Sequence, residues 1–297
     1  MKTMEKYETS DNCAGRTMPH AVNGPLACAT GLLLTVILAA SVAAAPVNPL
    51  GVGGNAGLKN KPPVRFAVIS DPHLYNPHLG TTGLAFENYL NQDPKLLRES
   101  GAILDAALDS IIQEHVRFVI IPGDLTKDGE LVNHLLMAKH LAKLERHGIQ
   151  ALVVPGNHDL NNPEAVAFCG DTTRRVPNVN PRMFRAIYER FGYGQAIDRD
   201  RDSLSYVTEP ADGLWLLAID STDAQQNEQL GYPVVGGKLS PTTRAWVQAK
   251  LKQAQARGKQ VVAFMHHGVN PDFAAQPLVF PDYLVALLGG AASVFGM

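Results

Sequence analysis

Short uninterrupted apolar runs alternate along the chain with longer stretches in which apolar residues recur every three or four positions. Runs of four to six bounded by turn formers predict buried strands, and the wider spacing predicts helices with one covered face. Residues 65–70 (RFAVIS), 117–121 (RFVII) and 150–154 (QALVV) are three such runs. Between the first two, residues 98–115 carry Ile103, Leu104, Ala107, Leu108, Ile111 and Ile112 as a helical stripe. Between the second and third, residues 130–147 carry Leu131, Leu135, Ala138, Leu141, Ala142 and Leu144, and Gly148 stops the helix. A β-α-β-α-β order predicts an α/β fold with a parallel or mixed sheet and right-handed crossovers. After a long irregular stretch, 204–208 and 214–219 predict further strands. Ser240-Pro241 opens a helix over 242–256, 260–265 (QVVAFM) reads as another strand, and 282–288 as the start of a last helix.

The first 63 residues break this rhythm. No charged residue occurs from 26 to 45, and 32–45 (LLLTVILAASVAAA) ends in Ala43-Ala44-Ala45 before Pro46. Small residues at −3 and −1 before a proline predict a cleaved signal peptide over 1–45. An uncleaved anchor is the alternative, since about 20 uncharged residues can span a bilayer. Either route predicts an exported protein, periplasmic or secreted, or held at a membrane by this segment. Cleavage after Ala45 would remove Cys13 and Cys28 and leave Cys169 as a lone structural thiol. Residues 46–63, with prolines, glycines and asparagines but no periodicity, read as a linker, and 64–297 as one domain.

Composition narrows the class. In 297 residues, 26 Lys and Arg stand against 28 Asp and Glu, so nothing suggests a basic groove for nucleic acid. With 45% apolar and 18% charged residues, the chain is neither disordered nor a multi-span membrane protein. Three cysteines exclude a disulfide scaffold.

The predicted strand ends carry the chemistry. RFAVIS runs into Asp71-Pro72-His73, RFVII into Pro122-Gly123-Asp124, QALVV into Pro155-Gly156-Asn157-His158-Asp159, and QVVAFM into His266-His267. In α/β sheets such ends line one crevice, where ligands bind. Carboxylate, amide and imidazole groups arriving there together suit divalent metal ions. Any one of them alone would read as a turn, a cap or a hydrogen-bonded structural residue. Four in register with four strands do not.

Asp71-x-His73, Gly123-Asp124, Gly156-Asn157-His158-Asp159 and His266 together resemble the motifs of the calcineurin-like metallophosphoesterase family, over about residues 64–270. The resemblance implies a two-sheet β-sandwich flanked by helices and a binuclear centre of two divalent ions, Mn, Fe or Zn in type. Asp71 and His73 would bind the first metal, Asp124 both, and Asn157 and His266 the second. His158 would not be a ligand but a catalytic residue facing the substrate, where it could stabilise the equatorial oxygens or protonate the leaving oxygen. The activity implied is hydrolysis of a phosphomonoester or phosphodiester by a hydroxide bridging the metals. The family's last motif, Gly-His-x-His, has no counterpart here, as no Gly-His pair occurs anywhere. The domain is therefore expected to be truncated or altered at its C-terminal end. The alternative reading is an impaired metal- or phosphate-binding protein or an inactive fragment.

Other residues are read from their position. Asp128 either orients His158 or caps the following helix, and the cap is the favoured reading. Asp159 either supports the ligands from behind or is an alternate ligand, and His267 is the rival of His266. Arg174 and Arg175, with Arg182 and Arg185, either meet a substrate phosphate or lie on a solvated face, which is favoured. Asp220 ends a strand and suits a turn. His134, His140 and His147 lack metal-pair spacing and are expected on the surface. Tyr188, Phe191 and Tyr193 are expected to pack.

Overall fold

The computed structural model describes residues 63–268, together with the backbone of two further strands, β1 (Leu38–Val42) and β11 (Ala292–Phe295). The expected leader or anchor and linker, β1 apart, and the helix expected at 282–288 lie outside the described residues.

The first apolar run forms β2 (Val64–Val68), the second β3 (Phe118–Pro122) and the third β4 (Gln150–Val154). They pair in parallel, with β1 antiparallel on the outer side of β2. All five residues of β3 are buried, as expected of a central parallel strand covered on both faces. Phe66 and Phe118 are register partners and stack at 5.1 Å. The crossovers are α2 (Ser100–Gln113) and α3 (Leu131–Arg146). A second sheet has the order β11, β10 (Gln260–Met265), β9 (Leu214–Ala218), β8 (Tyr206–Ala211), β7 (Asp198–Arg199).

Period-two alternation makes the two sheets a sandwich. Leu214, Leu216 and Ala218 on β9, with Val262 and Phe264 on β10, share one core with Phe66, Phe118, Ile120 and Leu152 of the first sheet. The alternate residues Trp215, Leu217, Ala263 and Met265 pack with Val247 and Ala254 of α6 (Pro241–Ala256). The expected two-sheet sandwich flanked by helices is thus the fold. A third cluster joins Tyr75 and Leu79 of the loop after β2, and Phe86 of α1 (Leu84–Gln92), to Phe168 in a hairpin of β5 (Val166–Cys169) and β6 (Thr172–Arg175). Two short helices, α4 (Pro181–Ile187) and α5 (Ala224–Leu230), and helical turns at Pro77–Leu79 and Glu189–Tyr193 lie between these elements.

Four expectations need correction. The strand expected at 204–208 begins at Tyr206, because Leu204 N–H and the Ser205 hydroxyl pair with Asp220 instead of a ladder. His134 is buried, not at the surface: its Nδ1 lies 2.8 Å from the Tyr188 hydroxyl and its Nε2 3.0 Å from the Asp159 carbonyl. Asp128 does not cap α3; Glu130 occupies that position, with no side-chain cap. Cys169 is disulfide-bonded, not a lone thiol.

Candidate metal centre

Three neighbouring parallel strands and one strand of the facing sheet deliver their loops to one edge of the sandwich. His266, just beyond β10, lies 3.1 Å through Nδ1 from the Pro122 carbonyl at the end of β3. That contact ties the two sheets together at the site. The loops turn sharply: Asp71, His73 and Asp124 all have left-handed backbone, at φ 52°, 39° and 48°. Non-glycine residues adopt this region at a cost of order 1–3 kcal/mol each, and such strain collects at functional sites. Gly156 serves close approach. A Cβ there would lie 2.2 Å from both Asp124 N and Asp124 Oδ1.

The loops bring Asp71, His73, Asp124, Asn157 and His266 together. Donor atoms of Asp71, Asp124 and His266 lie within 4.8 Å of one another, and all three residues are buried. Asp124 Oδ2 faces His73 Nε2 at 3.6 Å and His266 Nε2 at 3.5 Å. His266 Nε2 is also 3.0 Å from Asn157 Oδ1. Because a carbonyl only accepts, the imidazole donates to Pro122 through Nδ1. In neutral His266, Nε2 would therefore aim a lone pair at two oxygens. A proton or a shared cation resolves that conflict, and a histidine ligand that donates its other N–H to a carbonyl is the usual support of a metal site. His73 Nδ1 is buried with no hydrogen-bond partner among the described residues. Carboxylate, amide and imidazole donors of this kind fit divalent ions of the expected type.

The electrostatics agree with the donor set. Burial pushes His73 down to about 3, which keeps its imidazole neutral. Burial pushes the Asp124 carboxyl up, but His266, His158 and His73 outweigh it and hold it well below the usual range. Burial lowers His266, but the charges of Asp124, Asp71 and Asp159 more than offset this and raise it.

Around these groups stand the supports. Asp159 Oδ2 accepts the N–H groups of Leu125 and Gly156, and Oδ1 accepts the N–H and hydroxyl of Thr126, all at 2.9–3.0 Å. It clasps the β3 and β4 loops together. Burial, and then the Asp124 charge, push its carboxyl up to about 7. His158 N–H donates to Asp124 Oδ1, and its side chain, 19% exposed, donates through Nδ1 to Asp128 Oδ1 at 2.7 Å. Its ring lies edge-on to His73 at 5.2 Å. His267 turns the other way: Nδ1 lies 2.7 Å from the Ser221 hydroxyl. Asp220 accepts from Leu204 and Thr222, as a turn residue does. Arg174 and Arg175 lie on β6 and are not among the residues brought together at this edge.

Sequence reasoning missed three supports. The Ser70 hydroxyl donates to Asp71 Oδ2, Lys127 pairs with Asp128, and Glu130 accepts the Asp128 N–H at 2.9 Å. Lys127 and Glu130 flank Asp128 in a loop without periodicity, and only their closeness to the motif could have flagged them.

Residues 64–289 match the model of a family described as calcineurin-like phosphoesterase. No curated protein matches the chain. Among solved structures, a dimetal phosphatase from Danio rerio is similar in fold, at TM-score 0.53 and 18% identity. That match covers 77% of this chain and 79% of the other.

Proposed function

The chain belongs to the calcineurin-like phosphoesterase family, and on that premise we propose that it cleaves small-molecule phosphomonoesters or phosphodiesters at a two-metal centre. Metal-dependent hydrolysis of phosphoesters is the activity of the family; the two-metal site and its residues are our reading. The observation that supports it is Asp124: one carboxylate oxygen faces imidazoles from two different sheets at 3.5 and 3.6 Å. That is the arrangement of a shared ligand. Asp71 and His73 would hold one ion, Asn157 and His266 the other, and Asp124 both. When bound, two such ions supply charge neutralisation for the phosphoryl oxygens and a water acidic enough to attack at neutral pH.

The chain's own residues do the rest. His158 presents Nε2 to the substrate because Asp128 holds its Nδ1–H. Burial lowers the His158 pKa, but Asp124 and the Asp128 hydrogen bond raise it overall. The cationic form can donate to an equatorial oxygen or to the leaving oxygen. Export, by a signal peptide or an anchor within 1–45, and the absence of nucleic acid among the substrates belong to the same proposal and rest on sequence alone. The family match favours this enzyme over a binding protein without turnover.

The test uses the full-length protein with Mn²⁺ and the nitrophenyl mono- and diesters of phosphate. Turnover of at least one ester is expected, lost on chelation and restored by Mn²⁺. Folded, Mn²⁺-loaded protein without turnover would leave the binding reading in its place.

A further inference from the structure

Behind His158 lies a second buried charge cluster that the metal centre does not use. The Lys127 side chain is 1% exposed, and buried lysines are rare unless paired. Its ammonium meets Oδ2 of Asp128 and lies 3.4 Å from Oε1 of Glu130. Its other side lies 4.6 Å from the centre of the Tyr89 ring and 5.6 Å from that of Phe168. Glu130 is held in turn by the Asp128 N–H at 2.9 Å and by Asn133 Nδ2 at 2.7 Å. The other oxygen of Asp128, Oδ1, takes His158 Nδ1 at 2.7 Å and Asn162 Nδ2 at 3.4 Å. Each carboxylate oxygen thus has its own partners.

We propose that Lys127 is a positioning residue: by fixing Oδ2 of Asp128 it aims Oδ1, and through it the His158 imidazole, at the substrate. This rests on the substrate-facing role proposed for His158. A carboxylate's last torsion is broad and soft, so its rotamer alone does not set where each oxygen points. A partner on each oxygen does. Without Lys127, Asp128 and Glu130 would be two buried carboxylates two residues apart whose opposite charge in direct contact would have to come from His158 itself. The aromatic faces of α1 and β5 hold the ammonium from behind without offering competing acceptors. The satellite cluster of α1 and the hairpin is thereby coupled to the site through one side chain.

The first readout is metal-free. In ¹⁵N-histidine-labelled full-length protein, the His158 Nδ1–H, hydrogen-bonded to Asp128, is expected as a low-field resonance, assigned by its loss in His158→Ala. Lys127→Met should lose or broaden it while far-UV circular dichroism is unchanged. The second readout is kinetic, with Mn²⁺. Lys127→Met should lower kcat on an alkyl phosphate by about 10- to 100-fold, part of the ~10²–10⁴ that a positioned proton donor contributes. An aryl ester, with its better leaving group, should lose less. In a His158→Ala background, Lys127→Met should cost less than about twofold more, because coupled residues do not add. An unchanged resonance in folded Lys127→Met, or losses that multiply in the double variant, would overturn the inference while leaving the phosphoesterase reading intact. If His158→Ala itself does not impair hydrolysis, the role of His158 falls and the inference falls with it. Should Lys127→Met not fold, Lys127→Met/Glu130→Gln removes one charge of each sign, and the same resonance decides.

Discussion

Asp124 and Asp159 are both carboxylates on strand-end loops, and both are buried, at 4% and 0% exposure. Their surroundings differ in kind. Asp159 has a donor for nearly every lone pair it can offer: three backbone N–H groups and a hydroxyl. Asp124 accepts one backbone N–H, from His158 at 3.0 Å, and its other oxygen faces two imidazoles beyond good hydrogen-bond range. Burial therefore does not distinguish a ligand from a clasp. The inventory of donors does: a buried carboxylate already satisfied by the fold has nothing left to give a metal, and an unsatisfied one requires something the fold does not supply.

The contrast can be broken by exchanging effects between the two positions. The largest expected effect is on catalysis at Asp124. Asp124→Asn should lower Mn²⁺-dependent hydrolysis by ~10³-fold or more, since several kcal/mol of transition-state stabilisation pass through the metals. The metal-free variant should keep its fold. Asp159→Ala should do the reverse. Stranding its four donors costs about 3–5 kcal/mol of stability, a large part of what a domain has. Turnover per folded molecule should fall only about 10- to 100-fold, as for other outer supports. Denaturant titration and hydrolysis on both variants decide. If Asp124→Asn unfolds the chain or Asp159→Ala abolishes turnover in folded protein, the division of labour is wrong.

A smaller change sharpens the same point at Gly156, where a methyl group would meet Asp124 at 2.2 Å. Gly156→Ala should cost about 1–3 kcal/mol by overpacking and, by displacing Asp124, up to about 10²-fold in kcat. A variant with wild-type turnover would show that the position of Asp124 is not critical.

The parts of this site that sequence made legible are those set by strand periodicity. Asp71, Asp124, Asn157 and His266 follow four apolar runs directly, so locating the runs located the residues. The sandwich itself was legible only through the family resemblance, because its defining contact, β9 and β10 facing β2–β4, is non-local. What stayed hidden lies in loops or on faces that polarity misreports. Asp128 reads from the sequence as either the support of His158 or a cap, with the cap favoured because it precedes a helix; the structure gives it to His158, 30 residues away in sequence. His134 reads as a surface residue because its spacing from His140 and His147 makes no metal pair, yet it is buried against Tyr188 and the Asp159 loop. A polar residue at a core position can be placed only by knowing its partner. α1 and the β5–β6 hairpin escaped because their apolar residues form a satellite cluster with no long periodic run.

His134 offers the finest form of the comparison, set against His73. Burial holds both imidazoles down to about 3. His134 has a partner on each nitrogen, whereas His73 Nδ1 has none among the described residues. The sign of the pH effect follows from linkage. The unfolded histidine titrates near 6.5 and the folded one near 3, so between these values the unfolded chain binds the extra proton. Stability is full above about pH 6.5 and falls as the pH drops toward 3, by at most ~1.4 kcal/mol per pH unit for each such histidine. Replacing either with leucine in the metal-free protein should make that slope shallower. The two variants should differ at pH 8, where no proton is involved. His134→Leu strands the Tyr188 hydroxyl and the Asp159 carbonyl and should lower stability by about 1–3 kcal/mol. His73→Leu strands no hydrogen-bond partner and should leave stability at pH 8 equal or higher. Denaturant titrations at pH 8, 5.5 and 4 measure both quantities. Equal losses at pH 8 would mean that His73 is as much a structural residue as His134, and that the metal centre is not what keeps it there.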